Sequence, residues 1–389
     1  MLFRSLKQQT IDYGYDTDGI LSARMGLMDG DYPSADARRV FYDRLLRTLR
    51  ANPEFDAVGF TSRFRMVFAG NGQIEIDGKA YKDNKDRPQA NFEQVTGTFF
   101  DVTGQKLLEG RTFNDGDLDA KLPVSIVNAA FARKHYGNES PIGRRFRTMN
   151  SAGTQPGPWR TIVGVVSNVR MLGPFNNPGV DDSGFYVPFY STAFGPAPAA
   201  PFVSQFATVV VKPRAGQRPG ALANALRREV NKADANLPLY FVGTPKQQIE
   251  VFVAQNRIIA VMFSIFGGVA VVLASVGIYG VMSFSVNQRR QEFGVRMALG
   301  ANDGTILGMV LRQGVVQIGI GLTLGFGLAL AIATIAANGI QSTLFGVGAR
   351  DPLTYASVAF VVILVSLAAT LVPARRATRV DPMIALRAE

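Results

Sequence analysis

Three long apolar runs lie in the last third of this chain, and the residues before them mix hydrophobic and polar positions throughout. No side chain from Ile258 to Val286 is charged, and similar runs follow at Gln313 to Ala337 and Leu353 to Pro373. Crossing the hydrocarbon core takes about 20 apolar residues in a helix. Spans are therefore predicted at about residues 258–283, 313–337 and 353–373, in an all-α membrane domain covering 251–389. Residues 1–250, which hold no comparable run, are predicted to be a separate water-soluble domain.

In that first domain the period of the pattern changes along the chain. Phe41, Leu45 and Leu49 recur every fourth residue in Asp36 to Ala51, with Arg38, Arg39, Arg47 and Arg50 on the remaining surface, which predicts an amphipathic helix. Short β-favouring runs at Gly19 to Ala23 and Ala57 to Ser62 flank it. A second strand, helix, strand unit follows late: Phe206 to Lys212, then Pro219 to Ala233 with Leu222, Leu226 and Val230 aligned, then Leu237 to Val242. Two such units at opposite ends predict that the first and last parts pack together. Between them, Asn71 to Pro201 is predicted to form an inserted strand-rich lobe with one helix at Ala129 to Tyr136, and Gly173 to Gly184 and Phe194 to Pro201 read as surface loops. The fold class predicted is an α+β extracytoplasmic domain followed by three transmembrane helices.

Charge orients this arrangement. The formal net charge is +11, but the arginines are dispersed rather than gathered into a nucleic-acid footprint, and no nucleic-acid partner is expected. Arg289, Arg290, Arg296 and Arg312 lie between the first two spans, and Arg375, Arg376, Arg379 and Arg387 follow the third. The connection from Asn338 to Pro352 carries only Arg350. Arginine-rich loops stay in the cytoplasm, so the large first domain is expected outside a bacterial cytoplasmic membrane. Met1 to Tyr15 has no apolar core that would export it. The expectation is an upstream span absent from this sequence, the alternative being export directed by the first span.

Reaction chemistry is nearly missing. The chain has no cysteine for a thiol metal site, and its one histidine, His135, cannot make a metal cluster or a triad alone. His135 is expected to be a surface or capping residue. There is no G-x-x-x-x-G-K-[ST] phosphate loop, and no Asp, Glu, His or Lys interrupts the spans, as a proton or ion relay would require. The chain is expected to be non-catalytic, with no cofactor or metal of its own. Two segments stand out instead. Gly321, Gly325, Ala329, Ala333 and Ala337 recur every four residues and predict a helix face that a second backbone can approach closely. Asn287 to Asp303 (NQRRQEFGVRMALGAND) interleaves arginines with Phe293, Val295, Met297 and Leu299, which suits either a partner's groove or the lipid headgroup layer.

QRRQEFGVRMALGA (Gln288 to Ala301), LRQG (Leu311 to Gly314) and PARRATRVDPMIALR (Pro373 to Arg387) resemble the permease subunits of MacB-type ABC transporters, within the FtsX-like group. GTFFDVTGQKLLEGRTFNDGD (Gly97 to Asp117), VSIVNAAFARKHYG (Val124 to Gly137), PIGRRF (Pro141 to Phe146) and IVGVVSNVR (Ile162 to Arg170) resemble that family's periplasmic core domain. The resemblance implies an ATP-driven permease used in export or mechanotransmission, with ATP bound by a cytoplasmic ABC ATPase partner. It also implies a helix ahead of the periplasmic domain and a second permease half or a homodimer partner. An ATPase-coupling segment is implied at Arg289, Arg290, Glu292, Phe293, Gly294, Arg296, Leu299 and Gly300, with Glu292, Gly294, Arg296 and Gly300 at the ATPase contact. The other reading implied is a membrane-anchored regulator of an extracytoplasmic effector such as a cell-wall hydrolase.

Overall fold

The computed structural model describes residues 12–118, 123–173, 181–196, 202–335 and 352–377. By compactness the chain divides into Met1–Gln255 and Asn256–Glu389.

In the first unit, the two predicted strand, helix, strand units interleave. β1 (Leu21–Gly26), α1 (Ala35–Ala51) and β2 (Phe55–Thr61) form the first. β10 (Phe206–Pro213), α4 (Leu222–Ala233) and β11 (Tyr240–Gly243) form the last. Their antiparallel strands lie in the order β11, β1, β10, β2, so β10 from the end of the unit separates β1 from β2. The expected packing of first part against last is therefore a shared sheet. Ser34 starts α1 by accepting a hydrogen bond from Ala37 N at 3.1 Å. Its Phe41, Tyr42, Leu45 and Leu49 are buried with Leu222, Leu226 and Val230 of α4 and with Ala23, Val209 and Val211 of the sheet. Each leucine, valine or phenylalanine among them contributes about 1.5–3 kcal/mol on burial.

The inserted lobe contains β3 (Gly70–Ile76), β4 (Gln89–Val95), α2 (Phe99–Thr103), β5 (Leu107–Gly110), β6 (Val124–Asn128), α3 (Ala129–Tyr136), β7 (Arg145–Thr148), β8 (Arg160–Val166) and β9 (Gly184–Pro188). Strands β4, β3, β7, β8, β6 and β9 pair in that order, and a parallel β4–β9 ladder closes them into a ring. Neither this closure nor α2 was expected from the sequence. The reason is visible in β6 and β9, which are buried at every position and so lack the alternation that announces a one-sided strand. Asn128 caps α3, accepting from Phe131 N at 2.9 Å. His135, in the last turn of that helix, is half-buried with its ring 4.5 Å from that of Phe131. Burial, with help from the charges of Lys134 and Lys79, pushes its pKa down to about 4.

Sheet and ring are linked through β2 and β4, which pair at Thr61↔Val95 with backbone hydrogen bonds from Ser62 N to Gln94 O and from Thr96 N to Phe60 O on either side. Beside it lies a fully buried ion pair: Arg63 Nε is 3.1 Å from Glu93 Oε2, with the side chains 2% and 0% exposed. Thr61 Oγ1 donates to the other Glu93 oxygen at 2.5 Å, and Thr208 Oγ1 donates to the Arg63 carbonyl at 2.7 Å. Burial drives the Glu93 carboxyl above its ordinary range against the pull of Arg63.

The second unit holds three long apolar helices. α5 (Pro245–Gln288), which begins in the first unit, α7 (Asp303–Ile335) and α8 (Pro352–Ala377) contain stretches long and apolar enough to cross a membrane at Val261–Gln288, Asp303–Ile332 and Tyr355–Arg375. Side chains such as Phe263, Leu324 and Phe360 are two-thirds exposed, as lipid-facing positions are. Helix and apolar run differ in extent: α7 starts before Gln313 and α8 continues through Pro373. Backbone pairing sets the helix ends, whereas side-chain polarity sets the run.

The buried pair yields a prediction for stability. Removing one partner of such a pair costs about 3–5 kcal/mol, while an apolar replacement of both is often neutral. Glu93→Gln should thus lower the melting temperature of the purified chain sharply, and Arg63→Met with Glu93→Leu should restore most of it. A Glu93→Gln protein that melts with the wild type would show that the pair carries no such weight.

Candidate functional site

α5 ends at Gln288, and a short helix, α6 (Arg290–Ala298), starts almost at once. Phe293, midway along α6, is 1% exposed. It belongs to a small core with Met282 and Val286 of α5, Ile306 and Val310 of α7, and Ala374 of α8. Gly294 beside it is also buried. One buried aromatic side chain thus fastens α6 to the ends of all three long helices.

The polar residues of α6 hold one another. Glu292 accepts from Arg289 twice, at 2.6 Å from Nε and 3.0 Å from Nη2. Arg296 Nη2 lies 2.8 Å from Glu292 Oε1, the i, i+4 spacing. The hydrogen bonds from Arg289 hold the Glu292 carboxyl below its ordinary range and raise the Arg289 guanidinium in turn. Arg289 also reaches Gln313 of α7 at 3.5 Å, and Gln313 reaches Ser285 of α5 at 3.4 Å. The carboxylate is about one-third exposed, so these bonds orient the side chains more than they stabilise the fold.

The chain leaves α6 through Gly300, whose φ of +96° suits only glycine without strain. Gly300 N donates to Met297 O at 3.0 Å and Ala301 N to Arg296 O at 2.9 Å, the paired bonds that close a helix end. Asn302 then caps α7, accepting from Thr305 N at 2.9 Å. Leu299 is left 82% exposed and Val295 44% exposed. Apolar Val295 and Leu299, exposed Arg290 and the Glu292–Arg296 pair therefore form a surface on a fixed support. This surface sets exposed apolar side chains beside paired charges. Among the described residues no cluster of His, Cys, Asp or Glu could hold a metal ion.

The small-residue face is arranged differently. Gly321, Gly325 and Ala329 are exposed on α7, and a Cβ built at Gly321 or Gly325 would meet no described atom within 4 Å. α8 packs on α7 elsewhere, through Gly314 against Thr370 and Phe326 against Tyr355. The Ala333 side chain and Ala337, like Arg350, Arg379 and Arg387, lie outside the described residues. The anchoring role of Phe293 was missed in the sequence. Its available signal was the i, i+4 spacing of Met282 with Val286 and of Ile306 with Val310, concealed in stretches where nearly every neighbour is apolar too.

Comparison with known proteins adds family relationships. The MacB-like periplasmic core domain model matches residues 2–229, and the FtsX-like permease C-terminal model matches residues 264–382. The uncharacterized ABC transporter permease YknZ of Bacillus subtilis is 27% identical over 79% of this chain and 72% of its own length. A macrolide export ATP-binding/permease protein MacB of Rhodospirillum rubrum is 26% identical over 87% of this chain and 46% of its own. The chain thus spans less than half the length of that relative. A crystal structure of the periplasmic region of MacB from Actinobacillus actinomycetemcomitans aligns with a TM-score of 0.40 at 15% identity, covering 63% of this chain and 97% of that one.

The open glycine face predicts separate effects on folding and on assembly. Gly325→Leu should leave helix content by circular dichroism unchanged, because nothing described in this chain abuts the site, yet abolish association with a partner helix in mild detergent. Association that survives the leucine would move the packing seam to another face.

Proposed function

Because the chain belongs to the FtsX-like permeases that carry a MacB-like periplasmic core domain, we propose that it is the membrane subunit of an ATP-driven ABC assembly, passing the motion of a cytoplasmic ATPase to an external substrate-handling domain. Its partners in this reading are the ATPase, which binds the ATP, and a second permease half or copy of this chain against the Gly321, Gly325, Ala329 face. The subunit itself is not an enzyme. Its outcome is export or mechanotransmission across the bacterial inner membrane, with residues 1–250 outside and α6 inside.

The observation that carries the reading is the anchored α6. A force applied to Arg290, Glu292, Val295, Arg296 or Leu299 meets a helix fixed by Phe293 to α5, α7 and α8, so displacement there moves the helix ends rather than a loose loop. A headgroup-binding helix has no need of this rigidity, nor of a carboxylate flanked by two arginines. The arginine asymmetry supports the same orientation.

Glu292 separates the two uses of this surface. Breaking one partner of a desolvated charged contact costs about 2–5 kcal/mol, whereas one residue at an anionic lipid surface changes the attraction by about 1 kcal/mol. Glu292→Lys should therefore lose at least about tenfold in ATPase co-purification while the protein still inserts in the membrane. Recovery of the ATPase at the unmutated yield would sink the assignment.

Orientation has its own test. A cysteine replacing exposed Ser140 in this otherwise cysteine-free chain should react with a membrane-impermeant maleimide added from the periplasmic side. Labelling from the cytoplasmic side alone would reverse the topology.

A further inference from the structure

Among the described residues, the non-glycine residues with positive φ are Arg65 at +53°, Met66 at +59° and Phe241 at +52°. Arg65 and Met66 belong to the connection between β2 and β3, and Phe241 lies on β11, yet all three meet in one place. The Arg65 guanidinium carbon sits 3.4 Å from the centre of the Phe241 ring, 5.4 Å from that of Phe64 and 5.1 Å from that of Phe252 on α5. Strained backbone persists only where surrounding contacts over-determine it, and it gathers at sites of function.

The contacts on either side of this turn face two different structures. Toward α5, Phe252 packs edge-on against Phe68 at 5.0 Å, Ile249 is buried with Val67 and Tyr13, and Gln248 donates to the Phe241 carbonyl at 3.2 Å. Toward the inserted lobe, Met66 is fully buried with Val95, Phe99 and Tyr186, and its carbonyl accepts from Tyr15 at 2.5 Å. Two residues earlier, Arg63 makes the buried pair with Glu93 of β4. Glycine at 65 or 66 would relieve the backbone but remove the cation from its aromatic cage or the methionine from the core.

We propose that the segment Arg63–Met66, strained at Arg65 and Met66, is the joint through which displacement of the first turns of α5 reaches the inserted lobe, with Arg65 as the positioning residue that grips the helix. Phe252 and Glu93 then influence each other through this segment and not by touching. The inference rests on the coupling reading for its use, but its test needs no ATPase, so loss of the Glu292 phenotype and failure of this joint are read separately.

Hydrogen exchange by mass spectrometry on the full chain in detergent provides the test. Phe252→Ala should speed exchange in Gln89–Val95 by about three- to thirtyfold, the range for residues along a coupling route, and leave Val209–Val211 unchanged. In an Arg65→Ala background the same substitution should add nothing in Gln89–Val95. Should Phe252→Ala fail to fold, Phe252→Leu carries the same expectation at smaller amplitude. Exchange changes confined to α5, or a transmitted change that persists without Arg65, would overturn the proposal.

Discussion

Hydrocarbon offers the backbone no hydrogen-bond partner, so every peptide group crossing it must be paired within its own helix. The rest of the membrane unit follows from that constraint. It makes α5, α7 and α8 helical along their apolar stretches and leaves the connections as the place for charge. Arg289, Arg290, Glu292 and Arg296 collect in one of these, where Gly300 and Asn302 turn the chain directly into α7. A charged connection is ordinarily free to move. Here the buried Phe293 ring removes that freedom and holds the segment against the ends of the long helices.

In the first unit, polar chemistry again sits where two bodies meet. Apolar packing builds the α1, α4 layer over its sheet, fills the closed ring and continues across their junction, where Val210 is buried with Val95 and Phe99 and the Arg63–Glu93 bridge lies beside the Thr61↔Val95 pair. A buried ion pair contributes little net stability compared with an apolar pair of the same shape. What it supplies is direction, since the carboxylate accepts from Thr61 and Arg63 in only one relative placement of β2 and β4.

Legibility in the sequence followed exposure. α1 could be read because Phe41, Leu45 and Leu49 are buried while the arginines between them face water, and the late strand, helix, strand unit for the same reason. The ring could not, because β6 and β9 are covered on both faces and the β4–β9 ladder joins residues far apart in the chain. Arg63 and Glu93 look in the sequence like ordinary solvated charges. Only their register on either side of the Thr61↔Val95 pair brings them together. In Asn287 to Asp303 the Glu292–Arg296 spacing was readable from helix geometry, but the Arg289 bonds to Glu292 and the burial of Phe293 depend on how α5 and α7 converge.

In the proposed scheme, ATP binding on one side of the membrane changes residues 1–250 on the other. The most direct test is a pulsed electron spin resonance distance between labels at exposed Arg47 on α1 and Lys82 in the inserted lobe, in vesicles containing this chain and its ATPase. The distance distribution should shift when a non-hydrolysable ATP analogue is added and return when it is removed. Superimposable distributions with and without nucleotide, from an assembly that hydrolyses ATP, would contradict it.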